Sequence, residues 1–179
     1  MTILLISDDD RSALACNLLA AQLKTRGQTC LTAGLSFDPE RDSPFPLSRP
    51  QVTLSPEALL ASSLVETASA LGVFLKTPEK LKGFIESHRN LATQRDRPAA
   101  PVFSGPLQAS LGDDLMQQLY DHLECDLLLL PGERQHQAVT AVTQHWPTES
   151  PPPRLLKTGL WFMPERPPLG SLNGGRATP

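Results

Sequence analysis

Residues 1–35, MTILLISDDDRSALACNLLAAQLKTRGQTCLTAGL, decide the fold. Ile3, Leu4, Leu5 and Ile6 form a short unbroken apolar run that ends in polar residues. Such a run is expected of a strand covered on both faces, and strands of that kind belong to parallel sheets. From Ser12 the period changes, with Leu14, Ala15, Leu18, Leu19 and Leu23 recurring at helical spacing until Lys24, Arg26 and Gly27 supply basic charge and a stop. This predicts a helix over Asp10 to Arg26. A second strand over Thr29 to Thr32 completes a βαβ unit with a right-handed crossover.

Outward from this unit, length and composition set the limits. With 179 residues, 40% of them hydrophobic, the chain can bury one substantial core, and one domain over residues 1–165 is expected. The net charge of −3 and the lack of any Lys/Arg run argue against nucleic acid or anionic lipid as partners. No stretch approaches the roughly 18 apolar residues of a membrane span, and the N-terminus lacks a basic start and cleavage site. The chain therefore reads as soluble and cytoplasmic. Cys16, Cys30 and Cys125 are odd in number, widely spaced and set among apolar residues, so they read as ordinary buried thiols. His88, His122, His136 and His145 never pair at metal-ligand spacing and read as surface or helix-end residues.

After Gly34 the proline- and charge-rich stretch SFDPERDSPFPLSRPQ predicts a long, flexible loop at about residues 36–51. Two helices are expected next, over Pro56 to Leu71 and Pro78 to Thr93. Ser55 and Thr77 stand as their caps, each followed by Pro and Glu. A strand at Pro101 to Ser104 precedes a glycine turn, and Leu115, Met116, Leu119 and Leu123 share one face of a further helix. CDLLLLPG marks a buried strand over Asp126 to Leu130. A helix over Gln135 to Gln144 and an apolar strand over Leu155 to Phe162 follow, and the Pro/Gly-rich tail, residues 166–179, is expected to be disordered. The alternation of strand and helix predicts a three-layer α/β fold with a mostly parallel sheet of about five strands, P-loop NTPase-like or Rossmann-like.

The turn between the first strand and helix, ISDDDRSA, is where such folds keep their chemistry. A phosphate-binding loop needs glycines whose amides cradle the phosphates, a lysine and a hydroxyl for Mg²⁺. Here Arg11 and Ser12 occupy the lysine-serine place but no glycine precedes them, and three carboxylates would face the anion. Each like charge at about 4 Å costs several kcal/mol even at an effective dielectric of about 20. Nucleotide binding is therefore disfavoured, leaving at most a weak Mg²⁺ site. A second reading is an atypical receiver domain, whose acidic cluster after strand one holds Mg²⁺. Against it, Leu130 and Pro131 stand where the phosphoacceptor aspartate should be. A third is that Asp8, Asp9 and Asp10 serve only the helix N-terminus, capping its free N–H groups and meeting its positive dipole end.

Taken together, the segments resemble the dethiobiotin-synthetase-like P-loop domain found at the N-terminus of some phosphate acetyltransferases and in DRTGG-associated proteins. The resemblance rests on the helix ALACNLLAAQLKTRG, the strand CDLLLL and the strand with following proline in RLLKTGLWFMPE, over about residues 2 to 165. It implies an ATP-dependent ancestry. The loop's glycines and lysine are absent, however, and Ser104 and Gly105 stand where the family has a glutamate and glycine. The resemblance thus implies a degenerate relative without ATPase activity, acting as a regulatory or protein-interaction module, with a protein partner or a second copy of itself. The same opening and LLKTGLWFMPERPP also look like the acceptor-side half of a GT-B glycosyltransferase, which would need a donor-binding partner subunit.

Any remaining pocket is expected outside the carboxyl ends of the strands, lined by Ser7, Asp8, Asp9, Asp10, Arg11 and Ser12 from the first turn and by Ser104 and Gly105 from the later one. Other candidates are weaker. Asp113 and Asp114 read as a helix start, Trp146, Trp161 and Phe162 as packing or docking residues, and Ser104, Ser110 and His136 lack the G-x-S-x-G elbow of a nucleophile set. No catalytic residue and no metal ligand is assigned.

Overall fold

A computed structural model of the protein describes residues 2–35, 49–105, 115–130, 132–144 and 154–157. The first strand, β1, spans Thr2–Ser7, and the first helix, α1, spans Asp10–Thr25. β2 (Thr29–Leu35) returns parallel to β1, so the predicted βαβ unit is present. β3 (Val52–Leu54) adds to the outer side of β2. Two one-turn helices, α2 (Pro56–Leu60) and α3 (Ser63–Thr67), lead into β4 (Ala70–Phe74), which pairs with the free side of β1. The chain then alternates through α4 (Pro78–Gln94), β5 (Val102–Ser104), α5 (Leu115–Asp121), β6 (Leu127–Leu130), α6 (Glu133–Thr143) and β7 (Arg154–Lys157). All pairings are parallel, in the order β3-β2-β1-β4-β5-β6-β7. This is the order of doubly wound, Rossmann-like sheets.

The pleat of β1 explains the three layers. Successive side chains of a strand point to opposite faces. Leu4 and Ile6 join Leu71 and Val73 of β4 under Leu59, Leu81, Phe84 and Ile85 from α2 and α4. Ile3 and Leu5 meet Cys16, Leu19 and Ala20 of α1 on the other face. A smaller cluster of Leu119, Leu128, Leu130 and Val139 seats α5 and α6 on β6. A strand covered on both sides reads as an apolar run rather than an alternation, which is why β1 and β6 were legible.

Three expectations need correction. The helix predicted over Pro56 to Leu71 is two short helices and the start of β4. Leu64, Val65, Ala68 and Leu71 continue a helical spacing, so the period alone could not end the helix. Ser62 ends it, leaving the helical region at φ −80°, ψ 154° and donating its hydroxyl to the Leu59 carbonyl at 2.6 Å. Second, among the described residues the sheet carries seven strands where about five are predicted. The additions include the edge strand β3, whose three residues are too few to show a period. Third, His88 is not a surface or helix-end residue but lies within α4, 3% exposed. Cys16, Cys30 and Cys125 are free and buried, as expected. Among the described residues no helix is long and apolar enough to cross a membrane. Most of the predicted loop, the tail, Ser110, Asp113, Asp114, Trp146, Trp161 and Phe162 lie outside the described residues.

Candidate functional site

In a doubly wound sheet the connections leave the central pair of strands in opposite directions, opening a crevice at their carboxyl ends where ligands bind. Here that pair is β1 and β4, with Ser7 in register with Phe74. The first turn enters this crevice, and its aspartates divide into distinct roles.

Asp8 bridges the switch point. Its Oδ1 accepts the Lys76 N–H at 2.8 Å and its Oδ2 pairs with the Lys80 ammonium at 3.0 Å. The Asp8 side chain is 6% exposed and that of Lys80 62%, so the carboxylate is held in the crevice while its cation sits in solvent. Asp9 is the N-cap of α1. Its Oδ1 accepts from the Ser12 N–H at 2.7 Å and the Ser12 hydroxyl at 2.9 Å, and its own N–H donates to the Ser12 Oγ at 3.3 Å. That reciprocal arrangement satisfies two amides that a helix start otherwise leaves open. Asp10 lies in the first turn of α1, where its charge complements the dipole, and Arg11 is exposed.

Ser7 and Ser104 are buried and turned onto neighbouring strands. The Ser104 hydroxyl donates to the Val73 carbonyl at 2.6 Å, and that of Ser7 makes a long 3.5 Å contact with the Ala33 carbonyl. Gly105 has φ +118°, and a Cβ built there would collide with the Leu129 carbonyl oxygen. A close backbone approach accounts for that glycine. The first turn and the pair Ser104 and Gly105 therefore share one end of the sheet with β4 between them.

Lys76 and Lys80 escaped the sequence reading because β4 did. Once ALGVF is a strand, LKTPEK becomes the turn opposite the first one, and Thr77, which caps α4 by accepting the Lys80 N–H at 3.4 Å, fixes its entry. Burial pushes the Cys16 and Cys30 thiols up, and that of Cys125 up to about 12, so all three stay protonated at neutral pH. No group of three His, Cys, Asp or Glu side chains suited to a metal ion occurs among the described residues. Compared with protein-family models, curated proteins and solved structures, the chain matches none.

Proposed function

We propose that the protein is a doubly wound α/β binding module, degenerate at its phosphate site, that acts through protein interaction or regulation rather than through ATP hydrolysis. The observation that carries this reading is the Asp8 carboxylate seated on the Lys76 amide and the Lys80 ammonium at the switch point. An entering phosphate would have to displace this internal anion and then meet Asp9 and Asp10 beside it, and both are unfavourable at short range. The resemblance to dethiobiotin-synthetase-like domains supports the same reading, since the residues it lacks are those that cradle and neutralise phosphate. On the partner side, β7 ends the strand order among the described residues, and its Leu156 is 48% exposed. Edge strands of this kind are common places for a second chain to pair.

A thermal-shift titration of the purified chain with ATP, ADP and GTP, each with and without Mg²⁺, tests the proposal. No nucleotide-linked stabilisation is expected. A saturable rise toward about 2.7 kcal/mol at a hundredfold excess over Kd would overturn it. The strand order also favours, as a second reading, the acceptor-side half of a two-domain glycosyltransferase. A neighbouring reading frame for a donor-binding half, with transferase activity appearing only when both are co-purified, would carry that alternative.

A further inference from the structure

At the amino ends of β4 and β5, away from the switch point, lies an open cavity of about 340 Å³. That volume falls at the lower end of the roughly 300–1,000 Å³ of small-ligand sites. Val65, Ala68 and the segment from Pro98 to Pro101 make most of its wall apolar, and Arg97, His88 and Glu66 supply the strongest polar groups, the Glu66 carboxylate being paired with Arg95.

Arg97 is placed there by the end of α4. Asp96 adopts φ +49°, and the N–H groups of Asp96 and Arg97 close back onto the Thr93 and Ala92 carbonyls at 3.1 and 3.0 Å. This is the Schellman arrangement, with an aspartate where glycine is the usual choice. Among the described residues no carboxylate pairs with the guanidinium so placed. Glu66 gives its carboxylate to Arg95 and offers Arg97 only its carbonyl at 3.4 Å. The Arg97 Nε–H is buried and has no acceptor. Buried donors are nearly always paired, so this arginine, which also lines the cavity, is short of hydrogen-bond acceptors.

His88 adds a second polar group of defined state. Its Nε2 lies 3.1 Å from the Ala100 carbonyl, which can only accept, so Nε2 carries the proton and Nδ1 remains an acceptor.

We propose that this cavity binds a small organic carboxylate with an apolar body, its carboxylate paired with Arg97 and its body against Val65, Ala68 and the Pro98–Pro101 segment. A bare inorganic anion would satisfy Arg97 but leave the apolar wall in water. A neutral molecule would leave the guanidinium unpaired. The site is independent of the switch point, so it stands or falls separately from the reading above.

The test is a titration of the full chain with butanoate, hexanoate and benzoate, their matched amides, and inorganic phosphate, followed by thermal shift and by two-dimensional NMR of backbone amides. The acids should bind saturably and perturb the backbone amides of residues 65–69, 97, 99 and 100, with the amides of the acids weaker by about tenfold or more. Arg97→Gln should lose a similar factor toward the acids. Equal binding of acid and amide, phosphate binding as tightly as hexanoate, perturbation confined to the switch point, or no binding by any acid would each overturn the proposal. Should the variant fail to fold, the wild-type amide map and the acid-to-amide ratio still decide it.

Discussion

The two ends of the sheet handle charge in opposite ways. At the carboxyl ends, where doubly wound folds bind ligands, the chain satisfies itself: Asp8 occupies the crevice, Asp9 caps α1, Ser104 bonds β4, and Gly105 admits the Leu129 carbonyl. At the amino ends of β4 and β5, Arg97 lines a cavity with no carboxylate paired to it among the described residues. The difference shows that the position of a site in a fold class does not by itself say whether it is open. What decides is whether local donors and acceptors already have partners.

The sharpest way to break the self-satisfied end is Gly105→Ala. It combines a disfavoured φ with a backbone collision, and an expected loss of about 3 kcal/mol or more should appear in urea unfolding. A near-neutral result would mean that β5 and β6 can part at this end. Asp8→Ala removes the acceptor of the Lys76 amide and of Lys80, and should cost about 2 kcal/mol. Because Lys80 is mostly exposed, Lys80→Ala should cost less than about 1 kcal/mol, locating most of the effect in the amide bond. Asp9→Ala should cost about 1 kcal/mol through loss of the cap, read by the same unfolding curves.

The amino end gives a pH-dependent contrast. Burial holds the His88 imidazole below its ordinary 6.5, so the unfolded chain binds the proton more readily than the folded one. The stability due to neutral His88 is then fully present above pH 6.5 and is lost as pH falls through the folded value. Unfolding curves at descending pH should show this decline in the wild type, and His88→Gln should flatten it. An unchanged slope in the variant would place the titration elsewhere.

Much of the candidate site was legible because its interactions are local. Asp9 and Ser12 lie three residues apart, and an aspartate before a helical period reads as a cap whatever lies beyond. Asp8 looked identical in sequence, but its partners are Lys76 and Lys80, and its role depends on a strand hidden inside a helical spacing. Arg97 and His88 were illegible for the same reason. An unpaired guanidinium exists only relative to groups brought near by folding, and His88 looked like one more polar residue on an amphipathic helix.

The sequence by itself determined the α/β class, the strands with unbroken apolar runs, the caps of α1, α2 and α4, and the buried state of the three cysteines. Each depends on periodicity or on contacts within one turn of chain, which are written directly in residue order. Only the tertiary structure decided that β4 lies beside β1, that Asp8 fills the crevice between them, and that Arg97 faces no acidic partner among the described residues. Those outcomes turn on pairings between residues far apart in the chain, and the free energy of a charge is set by which neighbours the fold brings to it.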